Sequence, residues 1–282
     1  MNPVKIFTDS TSDLPRPWIE QYDIGIVPLY TVFGSESLRD GVDITTDRIF
    51  ERVSREGSLP KTAAPSPADF IQHFTPYIEQ GMDILYISLS SELSSTYQNA
   101  LLAGGEFPEG RVHAVDSRNL SCGIGLLVMK AVKAARNGLA IPEIVRLLEE
   151  VKPRVDTEFV IDTLEYLYKG GRCSGMQNLI GSLLKIRPVI KVIDGKMTPA
   201  YKVRGKREKA LEQMLNNALS QKDNMDLELV IVVHAMAEED ALELQKKLQV
   251  QTRAEVALAT AGCVISSHCG PKTIGIIYAK KS

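Results

Sequence analysis

DILYISLSSELSSTYQNALLAG, residues 83–104, changes its periodicity halfway along. Residues 84–89 form a short apolar run with β-branched members, the pattern of a parallel strand buried on both faces. From Tyr97 onward, Ala100, Leu101 and Gly104 recur at helical spacing. Between the two lie Ser88, Ser90, Ser91, Ser94, Ser95 and Thr96. A strand that runs through a hydroxyl-rich turn into a helix is the unit of an open α/β sheet. In such sheets ligands settle at the carboxyl ends of the strands, where helix N-termini offer unpaired N–H groups and partial positive charge. The turn is therefore a candidate anion site. Ser95 and Gln98 have the S-x-x-Q spacing of a capping box, so Ser95 is expected to cap the helix. Ser94 is then expected to keep a free hydroxyl, with Thr96 beside it in the first turn. Taken alone, the same residues also describe an ordinary polar loop, since caps of this kind are common.

The unit repeats on both sides. Residues 4–7 read as a strand that ends in Thr8-Asp9-Ser10-Thr11-Ser12-Asp13, and Pro15 opens a helix. Residues 24–33 suggest an irregular or edge strand, because Pro28 removes a ladder donor. After a helix at 47–56 comes Lys61-Thr62-Ala63-Ala64-Pro65-Ser66-Pro67, a loop stiffened by two prolines, which leads into a helix at 68–79 capped near Ser66. Thr62 stands on backbone that is already partly fixed, which suits a binding contact. A strand at 111–115 ends in Asp116-Ser117 and is followed by a long helix at about 121–137, with Gly138 beyond its end, and by a second helix at 141–151. This βαβα order predicts an α/β fold whose first domain, 1–154, is a parallel sheet covered by helices on both faces. Beyond Pro153, strands are expected at 158–161, 188–193, 197–203, 229–233, 255–258 and 273–279. Asp194-Gly195 is a hairpin signal there, and helices are expected at 205–222 and 238–249. The second domain, 155–282, is thus expected to carry a mixed sheet.

Composition narrows the function classes. The 282 residues are 44% hydrophobic and 24% charged, as in ordinary globular chains, and the net charge of −2 argues against bulk attraction to nucleic acid. No apolar run of signal-peptide length begins the chain, and the GIGLLVM run at 123–129 is stopped by Lys130, so a cytoplasmic protein without a transmembrane segment is expected. Cys122, Cys173, Cys263 and Cys269 form no C-x-x-C pair and are expected to be reduced thiols. His73, His113, His234 and His268 show no metal-ligand spacing. No metal or cofactor is expected.

Residues 164–172 read as a short helix that ends in a glycine pair beside Arg172, whose forked guanidinium suits a carboxylate or phosphate. Residues 266–273 place His268 in a loop before the last strand. Ser94 and His268 would make a nucleophile and base, yet there is no G-x-S-x-G elbow and no marked third residue to orient the histidine. Glycine-rich nucleotide motifs are also missing. Binding of an anion without its transformation is the expected activity, and a serine-dependent acyl-ester hydrolase or a small-anion sensor are the alternatives.

Six motifs in order, Thr8–Asp13, Thr62–Pro67, Leu93-Ser94-Ser95-Thr96-Tyr97-Gln98, Asp116-Ser117, Lys169–Arg172 and His268-Cys269-Gly270-Pro271, resemble the DegV family of fatty-acid-binding proteins from the first strand to the last. The resemblance implies a two-domain fold that holds one long-chain fatty acid, carboxylate at the interdomain cleft and tail in the C-terminal domain. It implies a carrier, not an enzyme: a separate ATP-dependent fatty acid kinase subunit would phosphorylate the bound carboxylate, and the acyl-phosphate would pass towards phospholipid synthesis, with an acyltransferase as a further partner. By resemblance, Thr62 and Ser94 hydrogen-bond the carboxylate, His268 completes the network and Arg172 lies nearby. Ser95, Thr96 and backbone amides around Gly270 are second-rank candidates. Leu179, Ile180, Leu183, Leu184 and Ile186 are candidates for the tail's walls, and the basic run Lys202, Arg204, Lys206, Arg207 and Lys209 for docking the kinase or an acyltransferase. The chain departs from the family pattern at Ala63, commonly a hydroxyl residue, and at Lys272, usually glycine. Lys272 is expected either to be strained at positive φ or to add a cation near the head group.

Overall fold

The structure, a computed structural model, describes residues 2–173 and 186–281. The first half runs β1 (Val4–Asp9), α1 (Arg16–Gln21), β2 (Gly25–Val27), β3 (Tyr30–Phe33), β4 (Glu36–Arg39), α2 (Thr46–Glu56), β5 (Lys61–Ala63), α3 (Pro67–Glu79), β6 (Asp83–Ser88), α4 (Thr96–Gly104), β7 (Val112–Asp116), α5 (Cys122–Arg136) and α6 (Ile141–Val151). The second runs β8 (Val155–Val160), α7 (Glu165–Gly170), β9 (Ile186–Ile193), β10 (Lys196–Arg204), α8 (Arg207–Ser220), β11 (Met225–Ala235), α9 (Glu238–Thr252), β12 (Val256–Thr260), α10 (Cys263–Cys269) and β13 (Thr273–Lys280).

Strands β2, β1, β6 and β7 pair in that order, all parallel. Every residue of β6 from Ile84 to Ser88 is buried, as its apolar run requires between two helical layers. On one face, α3 lays Phe70 and Phe74 against Phe7 and Tyr86 in an edge-on aromatic cluster, with Phe7 and Phe74 centroids 5.0 Å apart. On the other face lies α5. The six-stranded sheet has the order β10-β9-β8-β13-β11-β12, antiparallel except for the parallel pair β11–β12. Asp194 and Gly195, both at positive φ, close the expected hairpin between β9 and β10. The fold is thus the expected mixed α/β arrangement of one parallel and one mixed sheet.

Two features were not legible in the sequence. The irregular strand at 24–33 divides at Pro28: β2 joins the parallel sheet, whereas β3 joins β4 and β5 in a separate three-stranded antiparallel sheet. The start of the proline-stiffened loop, including Thr62, is therefore strand, held through Thr31 of β3. The second feature is α5, which packs against β1 and β6 on one side and against β8, β11 and β13 on the other. A helix that is apolar all round must be buried all round, and residues 122–128 are all buried. Close approach demands small residues here: a β-carbon on Gly125 would lie 2.9 Å from the Ser12 carbonyl. On the far face of the six-stranded sheet, α8 and α9 cover Val230, Val232, Ile274 and Ile276.

Candidate functional site

A cavity of about 260 Å³ lies between the carboxyl end of the parallel sheet and the α5-facing side of the six-stranded sheet. Its walls are mostly apolar, supplied by Leu29, Leu89, Leu120, Phe159, Val233 and Ile277. Along β13 the side chains alternate, so Thr273, Gly275 and Ile277 face the cavity while Ile274 and Ile276 pack under α8 and α9. Of the anticipated wall residues, Leu179, Ile180, Leu183 and Leu184 lie outside the described residues. Ile186 opens β9 and is not in the lining. The walls that do line it come from sheet faces, where any one residue looks like ordinary core.

Five of the seven anticipated site residues, Thr62, Ser94, Ser95, Arg172 and His268, line this cavity. Thr62 Oγ1 and His268 Nε2, 206 positions apart in the chain, stand 2.8 Å apart in a hydrogen bond. His268 is not in a loop, as expected from sequence, but in the last turn of α10. The short helix escaped notice because its seven residues include no periodic apolar stripe long enough to read. Burial, reinforced by the nearby charge of Arg172, pushes the His268 imidazole down to about 4, so it is neutral at pH 7. Its Nδ1 is buried with no partner among the described residues. That nitrogen abuts Gly170, where a β-carbon would lie only 2.4 Å from it.

The capping expectation at the opening of α4 is corrected. Ser95 makes no side-chain cap bond and is exposed. Ser94 does the local work instead: its Oγ accepts from the Thr96 N–H at 3.3 Å and lies 2.8 Å from Thr96 Oγ1. A serine two residues before an N–H closes a turn of its own, which competes with the box inferred from Gln98. Thr96 is fully buried and outside the cavity lining, so it orients Ser94 and does not face the cavity. Gly270 is also outside the lining, and its own N–H is donated to the Ser266 carbonyl at 2.9 Å. Arg172 is exposed and folds back to donate to the Gly170 carbonyl at 2.8 Å. Ser94 and His268 are not hydrogen-bonded to each other, since each has the threonine partner just described.

The remaining motifs hold these residues in place. Asp9 accepts from the Leu89 N–H and the Tyr86 hydroxyl, both at 2.9 Å, and so ties the start of the serine turn to β1. Asp116 accepts from Ser91 Oγ at 2.6 Å. Asn99 of α4 donates to the Pro65 carbonyl at 2.7 Å and fastens the proline loop, while Ser66 and Asp69 form the capping box of α3. The N-terminus of α10 is held by two buried acids from the first half: Gly262 N–H donates to Asp13 at 2.8 Å, and Cys263 and Val264 N–H to Asp40 at 2.8 and 3.2 Å. Burial raises the pKa of all three aspartates, most strongly that of Asp13. Sequence reasoning missed Asp40 and Asn99, because nothing local distinguishes them from surface polar residues. Among the described residues no cluster of histidine, cysteine or acidic side chains could hold a metal ion, and no helix is long and apolar enough to cross a membrane.

Comparison with known proteins bears on this geometry. The model of the family described as "Uncharacterised protein, DegV family" matches residues 3–281. A Thermotoga maritima protein named fatty acid-binding protein is 35% identical, with 96% of each chain covered. The solved structure of a Thermus thermophilus DegV family protein, described by its fatty acid binding, superposes with a TM-score of 0.92 at 33% identity, covering 99% of this chain and 100% of that one. A stearic acid-binding protein from Eubacterium ventriosum superposes with a TM-score of 0.88 at 27% identity, covering 100% and 99%.

Proposed function

The chain belongs to the DegV family, and from that premise we propose that it binds one long-chain fatty acid, carboxylate at the Thr62, Ser94 and His268 cluster and tail in the apolar cavity. The observation that carries this proposal is the continuity of the two: a hydroxyl and imidazole cluster lines the same cavity as a wall of aliphatic and aromatic side chains. About fifteen methylenes at roughly 0.8 kcal/mol each would contribute on the order of 12 kcal/mol before ordering costs, so the tail supplies the affinity. The polar cluster then fixes the head group. An unpaired buried lone pair costs less than an unpaired N–H, so the unpartnered Nδ1 favours the tautomer protonated on Nε2. His268 then donates to Thr62 Oγ1, and the threonine hydrogen is left to donate to a carboxylate oxygen. Either hydroxyl of the Ser94–Thr96 pair can donate; with the fully buried Thr96 hydroxyl as the donor, alongside its N–H, the Ser94 hydrogen is free for the same purpose. Arg172 is the cation within reach, and it needs only to exchange the Gly170 carbonyl for the ligand.

We take residues 1–154 and 155–282 as two domains, with Thr62 and Ser94 from the first and Arg172 and His268 from the second meeting at the carboxylate. The further role we propose is that of a carrier, which presents the carboxylate to a separate ATP-dependent kinase. Exposed Ser95, Ala63 and Arg172 leave the polar end of the cavity approachable, and an oriented carboxylate is what in-line attack on a γ-phosphate requires. Lys202, Arg204 and Lys206 are exposed at the end of edge strand β10 and offer a docking face for the kinase or an acyltransferase; Arg207 belongs to an ion pair with Asp240 instead. The absence of a Ser94–His268 hydrogen bond favours binding over hydrolysis.

Mass spectrometry of protein purified under native conditions is expected to find one fatty acid per chain, released intact by denaturation. Thr62→Val, which keeps the shape and removes the hydroxyl, is expected to weaken hexadecanoate binding about tenfold in calorimetry. No bound lipid together with no thermal shift on adding hexadecanoate or oleate would overturn the proposal in favour of a small-anion sensor. Ester turnover lost in Ser94→Ala would overturn it in favour of a hydrolase.

A further inference from the structure

Directly after His268 and Cys269 the chain turns through Gly270 (φ 78°), Pro271 and Lys272 (φ 59°) into β13. The two flanks of this turn, Cys269 and Thr273, line the cavity, whereas Lys272 itself is exposed and outside it. The lysine charge is therefore not part of the cavity wall. Its backbone stands in the left-handed region, which glycine enters freely and a β-carbon disfavours. The Lys272 carbonyl accepts a hydrogen bond from Arg207 Nη2 at 2.7 Å. Arg207 opens α8, its side chain is only 12% exposed, and its Nη1 is paired with Asp240 of α9. One face of the guanidinium fork is thus anchored on the outer helical layer while the other holds the turn.

This arrangement is costly. The Arg207 Nε is buried with no partner among the described residues. Buried donors are seldom left unpaired, and the pair with Asp240, whose side chain is 42% exposed, is of the part-exposed kind that adds little to stability. An arginine retained under those conditions is explained by what it positions. We propose that Arg207 is a positioning residue for the head-group site: by holding the carbonyl of left-handed Lys272 it fixes the turn from which His268, Cys269 and Thr273 face the cavity, and a glycine at 272 would make it dispensable. The role rests on the proposal that the cavity holds a fatty acid, but the position of His268 is measurable without one.

The test compares wild type, Arg207→Gln, Lys272→Gly and the double variant by two measurements: calorimetric affinity for hexadecanoate, and the imidazole ¹⁵N resonances of His268 with and without hexadecanoate. Arg207→Gln is expected to weaken binding about tenfold and to displace the His268 resonances, while Lys272→Gly alone changes affinity by less than about twofold. The double variant is expected to recover most of the affinity and the wild-type resonances. Displacement of the His268 resonances in folded Arg207→Gln, reversed by Lys272→Gly, would not follow if Arg207 merely stabilised the fold. Should Arg207→Gln fail to fold, Arg207→Lys keeps a cation for Asp240 without the second arm of the fork and carries the same expectations. The proposal is overturned if wild type binds hexadecanoate and Arg207→Gln leaves both measurements unchanged, or if the double variant loses as much as Arg207→Gln. If wild type does not bind hexadecanoate but Arg207→Gln displaces His268 and Lys272→Gly restores it, the ligand proposal falls and the positioning role stands.

Discussion

His268 is the residue on which the site turns. It is a partly buried base whose proton affinity the fold suppresses, from the ordinary value near 6.5 to about 4. Between those limits the unfolded chain takes up a proton that the folded chain refuses, so this residue's contribution to stability falls as pH drops from 6.5 towards 4. The total is about 3 kcal/mol at 1.36 kcal/mol per unit. Asp9, Asp13 and Asp40 act with the opposite sign, because burial raises their pKa and acid relieves their charge. The measurable quantity is therefore the difference between wild type and His268→Gln in urea denaturation across pH 4 to 7. Wild type is expected to lose stability relative to the variant on acidification. Parallel curves would show that the imidazole is not held in this environment. His268, Thr62 and Ser94 were all nameable from motif order, but the Thr62–His268 contact was not, since no local pattern spans 206 residues.

At the scale of elements, the short helices α7 and α10 decide where the imidazole stands. They pack against each other, with Gly170 of α7 placed against His268 of α10. Gly170→Ala makes a sharp test because two effects oppose. Alanine is the better helix former by roughly 0.8–1 kcal/mol, so α7 by itself should gain. Its β-carbon would meet His268 Nδ1 at 2.4 Å, so the ring must move away from Thr62. Loss of hexadecanoate affinity by about tenfold or more, with the thermal midpoint unchanged or raised, is the expected outcome. Unchanged affinity would mean that Gly170 plays no part in setting the ring. The long elements were readable from periodicity; α10, β4 and β5 were not, because they are short and owe their form to partners distant in sequence. Asp13 and Asp40 hold the start of α10 and Thr31 pairs with Thr62, and these contacts exist only once the chain has folded.

At the scale of the whole molecule, α5 binds the two sheets into one body. The largest core cluster joins Ile6, Leu85 and Ile87 of the parallel sheet to Phe159, Ile231 and Ile277 of the mixed sheet through Ile124, Leu127 and Val128 of α5. Neither sheet can lose α5 without exposing its inner face. Thermal unfolding followed by calorimetry and by far-ultraviolet circular dichroism is accordingly expected to show one coincident transition, with calorimetric and van't Hoff enthalpies equal. Two resolved transitions would show that the sheets are energetically separate.

By itself the sequence determined the α/β class, the parallel and mixed sheets, a long helix at about 121–137, and the family through six motifs in fixed order. All of these are written in local periodicity, turn chemistry and residue type. Only the tertiary structure decided that Ser94, not Ser95, bonds the turn into α4, that His268 rides on a helix and meets Thr62, and that Lys272 leans on Arg207. The physical reason is common to all three. Hydrogen bonds of side chains are chosen by which donors and acceptors are buried together, and that choice is made between segments far apart in the chain.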